Sequence, residues 1–382
     1  MDYKLPVGAF EQQPRTPFYY YDLKLLDDTL SSIREHSAYP GYKVHYAVKA
    51  NANPIILKRI ADAGFGADVV SGGELSAAIN AGFTNDTIVY AGVGKADWEI
   101  ELALNKNIAC LNVESMAELE VIEEICHRMG KSVCVALRVN PNVDAHTHHY
   151  ITTGLSENKF GIDIEKLDEI IARCQNSDCI KLKGLHFHIG SQITETTPFE
   201  NLCKRINEIQ DKYNEKGIYF ETINVGGGLG INYDDPEAEP IPDFKSYFET
   251  FNKHLNLREG QELHFELGRS VVCQCGSLIT KVLYVKNGVV KNFVIVDAGF
   301  SDLIRPALYQ AHHKIENLTG HGGSEKYDVV GPICESSDCF GEQETLPVTH
   351  RGDLIAIRSA GAYGEIMASQ YNCRQLPDVL AK

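Results

Sequence analysis

From Gly41 to Arg269, short apolar or β-branched runs alternate with segments of helical spacing, and no other feature limits the possible folds so sharply. The runs are YKVHYAVKA (42–50), GADVVS (66–71), TIVYAG (87–92), IACLNVE (108–114), SVCVALRVN (132–140), KLKGLHFHIG (181–190), FETINVGGG (220–228) and ELHFELGR (262–269). Between them apolar residues recur three and four positions apart: Leu57, Ile60, Ala61; Leu75, Ala78, Ile79; Leu119, Ile122, Ile125; Leu202, Ile206, Ile209. Strands that read as nearly continuous apolar runs are buried on both faces, which is the mark of a parallel sheet covered by helices. Eight such units predict an α/β fold of the (β/α)₈ TIM-type barrel kind rather than an open sheet.

After Arg269 the pattern changes to alternation around Lys286-Asn287-Gly288, which predicts a β-hairpin with Asn-Gly supplying the positive φ angles of a tight turn. Strand-like pieces follow at 327–332 and 353–359. The chain start, ending in TPFYYYD, also reads as strand and is expected to pair with them. The predicted organisation is a barrel over 22–269 and a β-rich domain built from 1–21 and 270–382. Two loops stand out: 141–161, rich in His and turn residues, and the acidic, Pro-bearing 234–243.

Composition narrows the partners. With 36 Lys and Arg against 52 Asp and Glu, the chain carries a formal charge of -16, so phosphate backbones and anionic membranes are repelled. Nucleic acid and membrane are therefore not expected partners. The first residues lack the apolar run of a signal peptide, and no stretch reaches transmembrane length, which predicts a cytoplasmic protein. Eleven cysteines without a CxxC pair read mostly as reduced core residues. Cys334 departs from that reading, because it lies in the turn-rich Gly331-Pro332-Ile333-Cys334-Glu335-Ser336-Ser337-Asp338, next to acids.

In a barrel of this type, function collects at the carboxyl ends of the strands. The first run ends on Lys49, which reads either as a snorkelling rim lysine or as a desolvated amine able to form a Schiff base with an aldehyde cofactor. The sixth ends His186-Phe187-His188-Ile189-Gly190-Ser191, with both imidazoles on one side of the strand. The seventh ends Gly226-Gly227-Gly228, where backbone N–H groups can approach a phosphate, although such turns are often only tight corners. The eighth ends Glu266-Leu267-Gly268-Arg269, whose carboxylate could hold a protonated ring nitrogen or pair with Arg269 at the rim. An amine, a ring-stacking imidazole, a phosphate cradle and a carboxylate for a ring nitrogen are together what pyridoxal phosphate needs from a protein.

The ordered series YAVKAN, DVVSGGEL, VNPNVDAHTHHYITTG, NKFGI, HIGSQI, GGGLGI, IRPALY, GPICES and GAYG resembles the diaminopimelate decarboxylase family of fold-type III pyridoxal phosphate enzymes. The resemblance covers nearly the whole chain and implies an alanine-racemase-like barrel plus a C-terminal β-rich domain. It implies pyridoxal 5'-phosphate as cofactor and meso-2,6-diaminopimelate as substrate, decarboxylated to L-lysine in the last step of lysine biosynthesis. Matched to the family's motifs, Lys49 is the Schiff-base lysine and His188 stacks on the cofactor ring. Ser191 and Gly226–Gly228 bind its phosphate, Glu266 faces the pyridine nitrogen, and Gly268 and Arg269 lie beside phosphate and substrate. Cys334 is the proton donor. Arg305, Tyr309, Glu335 and Tyr363 contact substrate, Tyr363 also touching the cofactor. Leu267 stands where many members have Pro, which alters the rigidity of that turn more than its chemistry. No metal is implied.

The resemblance also implies a homodimer in which Cys334 and Glu335 complete the partner's site. A diamino dicarboxylate presents an amino-acid head at each end. Arg269 and Arg305 suit the distal carboxylate and Glu335 the distal ammonium, whereas ornithine, ending in a bare amine, would be repelled by two arginines. Three other readings stay open: a decarboxylase of another basic amino acid or carboxylated polyamine, a non-catalytic regulator on the same scaffold, and a metal-dependent hydrolase using His186 and His188 with His146, His148 and His149.

Overall fold

The structure is a computed structural model, and it describes residues 3–143 and 159–382. The middle of the expected His-rich loop, including His146, His148 and His149, lies outside the described residues. Two compact units emerge: Leu30–Gly230 with Asp243–Gly268, and Met1–Thr29 with Ile231–Pro242 and Arg269–Lys382. The segment Ile231–Pro242, expected within the barrel, belongs to the second unit.

The first unit is a closed parallel barrel of eight strands. They are β2 (Tyr42–Ala47), β3 (Gly66–Val69), β4 (Ile88–Tyr90), β5 (Cys110–Val113), β6 (Val133–Arg138), β7 (Ile180–His186), β8 (Thr222–Asn224) and β9 (Glu262–Leu267); β1 (Phe18–Tyr21) precedes them in the second unit. All eight expected strands are present. Several end earlier than the apolar runs do, so His188 and Gly226–Gly228 lie on loops just past β7 and β8. The helices expected from three- and four-residue spacing form at Pro54–Asp62, Gly72–Ala81, Met116–Met129 and Thr197–Asn214. Their caps follow ordinary rules: Ser71 and Ser115 each accept the N–H three residues on, and Gly82 and Gly130 close their helices with left-handed backbone. Outside the barrel, Phe265 packs among Tyr42, Tyr247, Phe248 and Phe251. The interior is lined instead by small apolar residues, Val89, Cys110 and Ala136, and by polar side chains nearer the carboxyl ends.

The second unit is an eight-stranded sheet. Its organiser is β10 (Gly276–Asn287), which pairs antiparallel with β1 (Phe18–Tyr21), β11 (Asn292–Val296) and β15 (Leu354–Ile357). The strands β12 (Ile315–Asn317), β13 (Ser324–Val330), β14 (Cys339–Pro347) and β16 (Asp378–Ala381) complete it. The chain start therefore pairs with the C-terminal sheet as expected, and Phe10, Phe18, Tyr20, Ile279, Leu354 and Ala356 form its core. The expected hairpin exists as β10–β11, but its turn is not the tight Asn-Gly type. The last paired residues are Asn287 and Asn292, and the four-residue connection keeps Gly288 out of the left-handed region. Val289 and Val290 occupy its exposed tip. Seven of the eleven cysteines are buried, and Cys373 joins Cys334 in being exposed. Among the described residues no helix is long and apolar enough to cross a membrane.

Candidate active site

Glu266, one residue from the end of β9, organises the carboxyl end of the barrel. Its carboxylate accepts from Asn224 Nδ2 at 2.8 Å, Asn112 Nδ2 at 3.3 Å and His186 Nε2 at 3.0 Å. These donors come from β8, β5 and β7. A side chain on β9 reaches β5 only across the interior, so all four groups point inward. Burial alone would raise the Glu266 carboxyl, but His186 and the nearby Lys49 outweigh it and hold the group below the usual carboxylate range. It is an anion. Asp68, near the end of β3, shows the opposite result: burial and the charge of Glu266 push its carboxyl well up, and its Oδ1 has no hydrogen-bond partner. The barrel thus shifts two carboxyls in opposite directions in the same field, Glu266 down and Asp68 up.

The glycine turn after β8 is shaped by its neighbours. Gly226 has φ +67°, and a Cβ there would meet His188 Nδ1 and the Phe187 carbonyl, both at 2.6 Å; a Cβ on Gly227 would come within 2.1 Å of the Glu266 carbonyl. Gly226 N–H donates to Asn224 Oδ1 at 2.9 Å, and Glu266 N–H donates to the Gly226 carbonyl at 2.8 Å. The N–H of Gly227 donates to His188 Nδ1 at 3.3 Å, so the ring proton of neutral His188 sits on Nε2. Burial, with Lys49 and Arg138 near, pushes this imidazole well below its ordinary range. Ser191 joins the turn because Ile193 N–H donates to the Gly228 carbonyl and Gly230 N–H to the Ile193 carbonyl, both at 2.9 Å.

Lys49 does not lie in β2. It sits in the single 3₁₀ turn Val48–Ala50 that follows, and it is exposed. Of the two readings of Lys49, this exposure favours a lysine at the barrel rim over a desolvated amine, and the residue lies in the field of Asp68, Glu74 and Glu266. Gly268 backs this turn closely, its Cβ direction meeting Ala47 and Ala50 at 3.1 and 3.2 Å.

The sheet unit carries the second set. Arg269 and Arg305 are both buried. Arg269 Nη1 donates to the Tyr233 hydroxyl at 2.6 Å, and its guanidinium lies 5.0 Å from the Tyr363 ring centre. Tyr363 holds φ +57°, a conformation that bulky residues adopt only when their surroundings impose it. Arg305 starts the short helix Arg305–Tyr309 and its Nη1 donates to His313 Nε2 at 2.8 Å; Tyr309, at the other end of that helix, is half-buried. Cys334 and Glu335 are exposed, Glu335 accepting from Tyr371 Oη at 2.5 Å. Their loop is braced by buried Asp338, which accepts the N–H groups of Ile333 at 2.7 Å and Phe300 at 2.6 Å.

Sequence reasoning names the residues at the strand ends and misses those that hold them. Asn112 and Asn224 carry no signal, being single amides in apolar runs. His186 reads in the sequence as half of a pair and proves instead to be a donor to Glu266. Tyr233, His313 and Asp338 converge only through the fold. Among the described residues, one His/Asp/Cys group has metal-like spacing, His127 with Asp178 and Cys179. Asp178 and Cys179 immediately precede β7, at the end of the barrel opposite the strand carboxyl ends. There the exposed His127 Nε2 lies 2.8 Å from Asp178 Oδ1.

Residues 30–273 match the family model described as "Pyridoxal-dependent decarboxylase, pyridoxal binding domain". The chain is 61% identical over 373 residues to a diaminopimelate decarboxylase of Bacteroides thetaiotaomicron, covering 97% of this chain and 96% of that one. It belongs to the diaminopimelate decarboxylase family. A Helicobacter pylori member is 43% identical across 95% of this chain and 89% of its own length. The crystal structure of the diaminopimelate decarboxylase from that species complexed with L-lysine superposes with a TM-score of 0.92 at 41% identity, covering 98% of this chain and 93% of that one. A lysine/ornithine decarboxylase of Vibrio vulnificus complexed with cadaverine shares the fold, with a TM-score of 0.86 at 21% identity, covering 98% of this chain and 97% of the other. Membership in this pyridoxal-dependent decarboxylase family displaces the hydrolase reading.

Proposed function

We propose that this chain decarboxylates meso-2,6-diaminopimelate to L-lysine with pyridoxal 5'-phosphate. The observation that carries this is the match at 61% identity along 97% of the chain to an enzyme of that name. When bound, the cofactor supplies a sink for the electron pair left when the carboxylate departs as carbon dioxide.

The barrel residues fit that group. Lys49 offers an amine at the strand-end turn for its aldehyde. Gly226–Gly228 and Ser191 form a backbone-rich corner, where a side chain on Gly226 would collide with His188 and one on Gly227 with the Glu266 carbonyl, a setting for the phosphate. Neutral His188 offers an uncharged ring to stack on, and it cannot compete for the phosphate as a cation would. Glu266, already an anion with three donors arranged around it, would keep a proton on the cofactor's ring nitrogen. Gly268 allows the Lys49 turn to approach β9.

In the sheet unit, Arg269, Arg305, Tyr309 and Tyr363 take the substrate's distal head, with Glu335 accepting from its ammonium. Cys334 delivers the proton to the carbon that loses its carboxylate. The C–C bond breaks, carbon dioxide leaves, and the thiol proton replaces it on carbon. As the family resemblance implies, the working unit in this reading is a homodimer in which each subunit lends Cys334 and Glu335, exposed on their own chain, to the other. The protein acts in the cytoplasm.

Offering the purified holoenzyme diaminopimelate, lysine, ornithine and a carboxylated polyamine separately tests the substrate. Carbon dioxide and L-lysine should appear from diaminopimelate alone, and preferential turnover of another amine would replace this reading. Borohydride treatment followed by peptide mapping should place the cofactor on Lys49; a label on another lysine would overturn the barrel assignments.

A further inference from the structure

Tyr233 belongs to Ile231–Pro242, the segment that packs with the sheet unit, and Arg269, Cys273, Arg305 and His313 belong to that same unit. The Tyr233 hydroxyl accepts from Arg269 Nη1 at 2.6 Å and stands 3.2 Å from Cys273 Sγ, whose thiol donates to the Ser359 carbonyl at 3.0 Å. Since the thiol proton is committed to Ser359, the Tyr233 hydroxyl donates to the sulfur, and the row runs one way from guanidinium to carbonyl. The polarity of the row makes the Tyr233 oxygen a good acceptor for Arg269.

The same ring also serves Arg305, whose guanidinium lies 4.9 Å from the ring centre, while that of Arg269 lies 5.9 Å away. The ring meets His313 edge to face, 5.2 Å between centres and 82° between planes. His313 Nδ1 donates to the Arg358 carbonyl at 2.8 Å, which leaves Nε2 to accept from Arg305. Burial and the adjacent Arg305 push this imidazole down to about 3, so it remains a neutral acceptor. One phenol therefore attracts two buried like charges through its ring and fixes one of them through its oxygen. Two buried guanidiniums on one ring are costly, and a residue that orients both is an unusual feature of a core that could have been apolar. The arrangement makes sense if the pair is kept for an anion.

We propose that Tyr233 is a specificity-determining positioning residue, setting Arg269 and Arg305 as a single two-pronged receptor for the carboxylate on the substrate's non-reacting head. This rests on the reading of Arg269 and Arg305 as substrate arginines. Tyr233 acts through them and does no chemistry of its own.

The test compares L-lysine, which keeps one carboxylate, with cadaverine, which keeps none, as inhibitors of the holoenzyme. In Tyr233→Leu the inhibition constant of lysine and the KM for diaminopimelate should rise roughly ten- to a hundredfold, the worth of a charge-assisted hydrogen bond. The cadaverine constant, kcat and the absorbance of the bound cofactor should stay within about twofold. Tyr233→Phe, which keeps the ring and loses only the oxygen, should fall between, and it decides the matter if the Leu variant does not accumulate folded. Equal weakening of lysine and cadaverine, or no weakening of either, overturns the proposal. Arg305→Ala run in parallel separates the two levels. If it loses the lysine-over-cadaverine preference while the Tyr233 variants keep it, the arginine reading stands and the role of Tyr233 falls. If Arg305→Ala also keeps the preference, the arginine reading fails and takes the proposal with it.

Discussion

Three donors converge on one carboxylate at Glu266, and they explain why a buried acid stays ionised. Each donor is fixed on a different strand, so the cost of ordering them is met by the barrel itself rather than at the moment a ligand arrives. Asp68, in the same interior with an oxygen that no donor reaches, goes the other way. Environment alone separates the two. Cys334 is built to a different plan, exposed on a loop that Asp338 holds in shape from beneath. If Cys334 is the proton donor, Cys334→Ala should bind cofactor with unchanged colour and keep its quaternary structure, while turnover falls by roughly 10²–10⁴, the usual worth of a positioned acid. Near wild-type turnover in that variant would remove Cys334 from the mechanism and leave it a packing residue.

At the scale of elements, β2 and β9 are joined inside the barrel by a pair of imidazoles. His45 Nε2 lies 2.9 Å from His264 Nδ1, and His45 Nδ1 lies 3.0 Å from the Thr87 carbonyl on the neighbouring connection. Burial, together with the neighbouring imidazole, lowers His45 to about 3, and burial with Lys183 lowers His264 to about 4. In the unfolded chain both take up a proton below about 6.5. Between that value and about 4 the unfolded state binds more protons than the folded one, so stability is complete above the window and falls as pH drops through it. Glu266 acts in the same direction only at lower pH, below the ordinary carboxylate range. The melting temperature should therefore fall from pH 7 to pH 5, and His264→Asn should flatten that slope; an unchanged slope would mean that the pair is not what titrates. The strands carrying these residues were legible because burial on both faces leaves an apolar signature in almost every run. The interior polar layer was not. Asn112, His186, Asn224 and Glu266 are 154 residues apart from first to last, and only closure of the barrel makes them neighbours. The hairpin was legible from its alternation, yet its turn was not, since Asn-Gly permits a tight turn without demanding one. Lys49 was legible as a strand-end lysine, while its exposure depended on a 3₁₀ turn that the apolar run concealed.

For the whole molecule, the question is whether one chain carries a complete site. The residues proposed for cofactor and for proton delivery lie in different units, and Cys334 and Glu335 are exposed on theirs. A two-fold dimer that exchanges this loop would let each subunit complete its partner's site, and the symmetry requires both sites to be built identically. That gives a quantitative expectation for mixed subunits. Lys49→Ala and Cys334→Ala should each be nearly inactive alone. In a hybrid dimer one site receives both defects, and the other receives the intact Lys49 of one chain with the intact Cys334 of its partner. Random exchange of equal amounts makes about half the dimers hybrid, each with one good site of two, so activity should recover to about a quarter of wild type. Sites contained within single chains would give no recovery at any mixing ratio, because every site would then keep its own defect. Subunit exchange must be verified independently, by mass or by a label, since a dimer that never exchanges would also stay silent. With exchange confirmed, recovery near a quarter assigns Lys49 and Cys334 to one site from two chains, and silence assigns them to one chain.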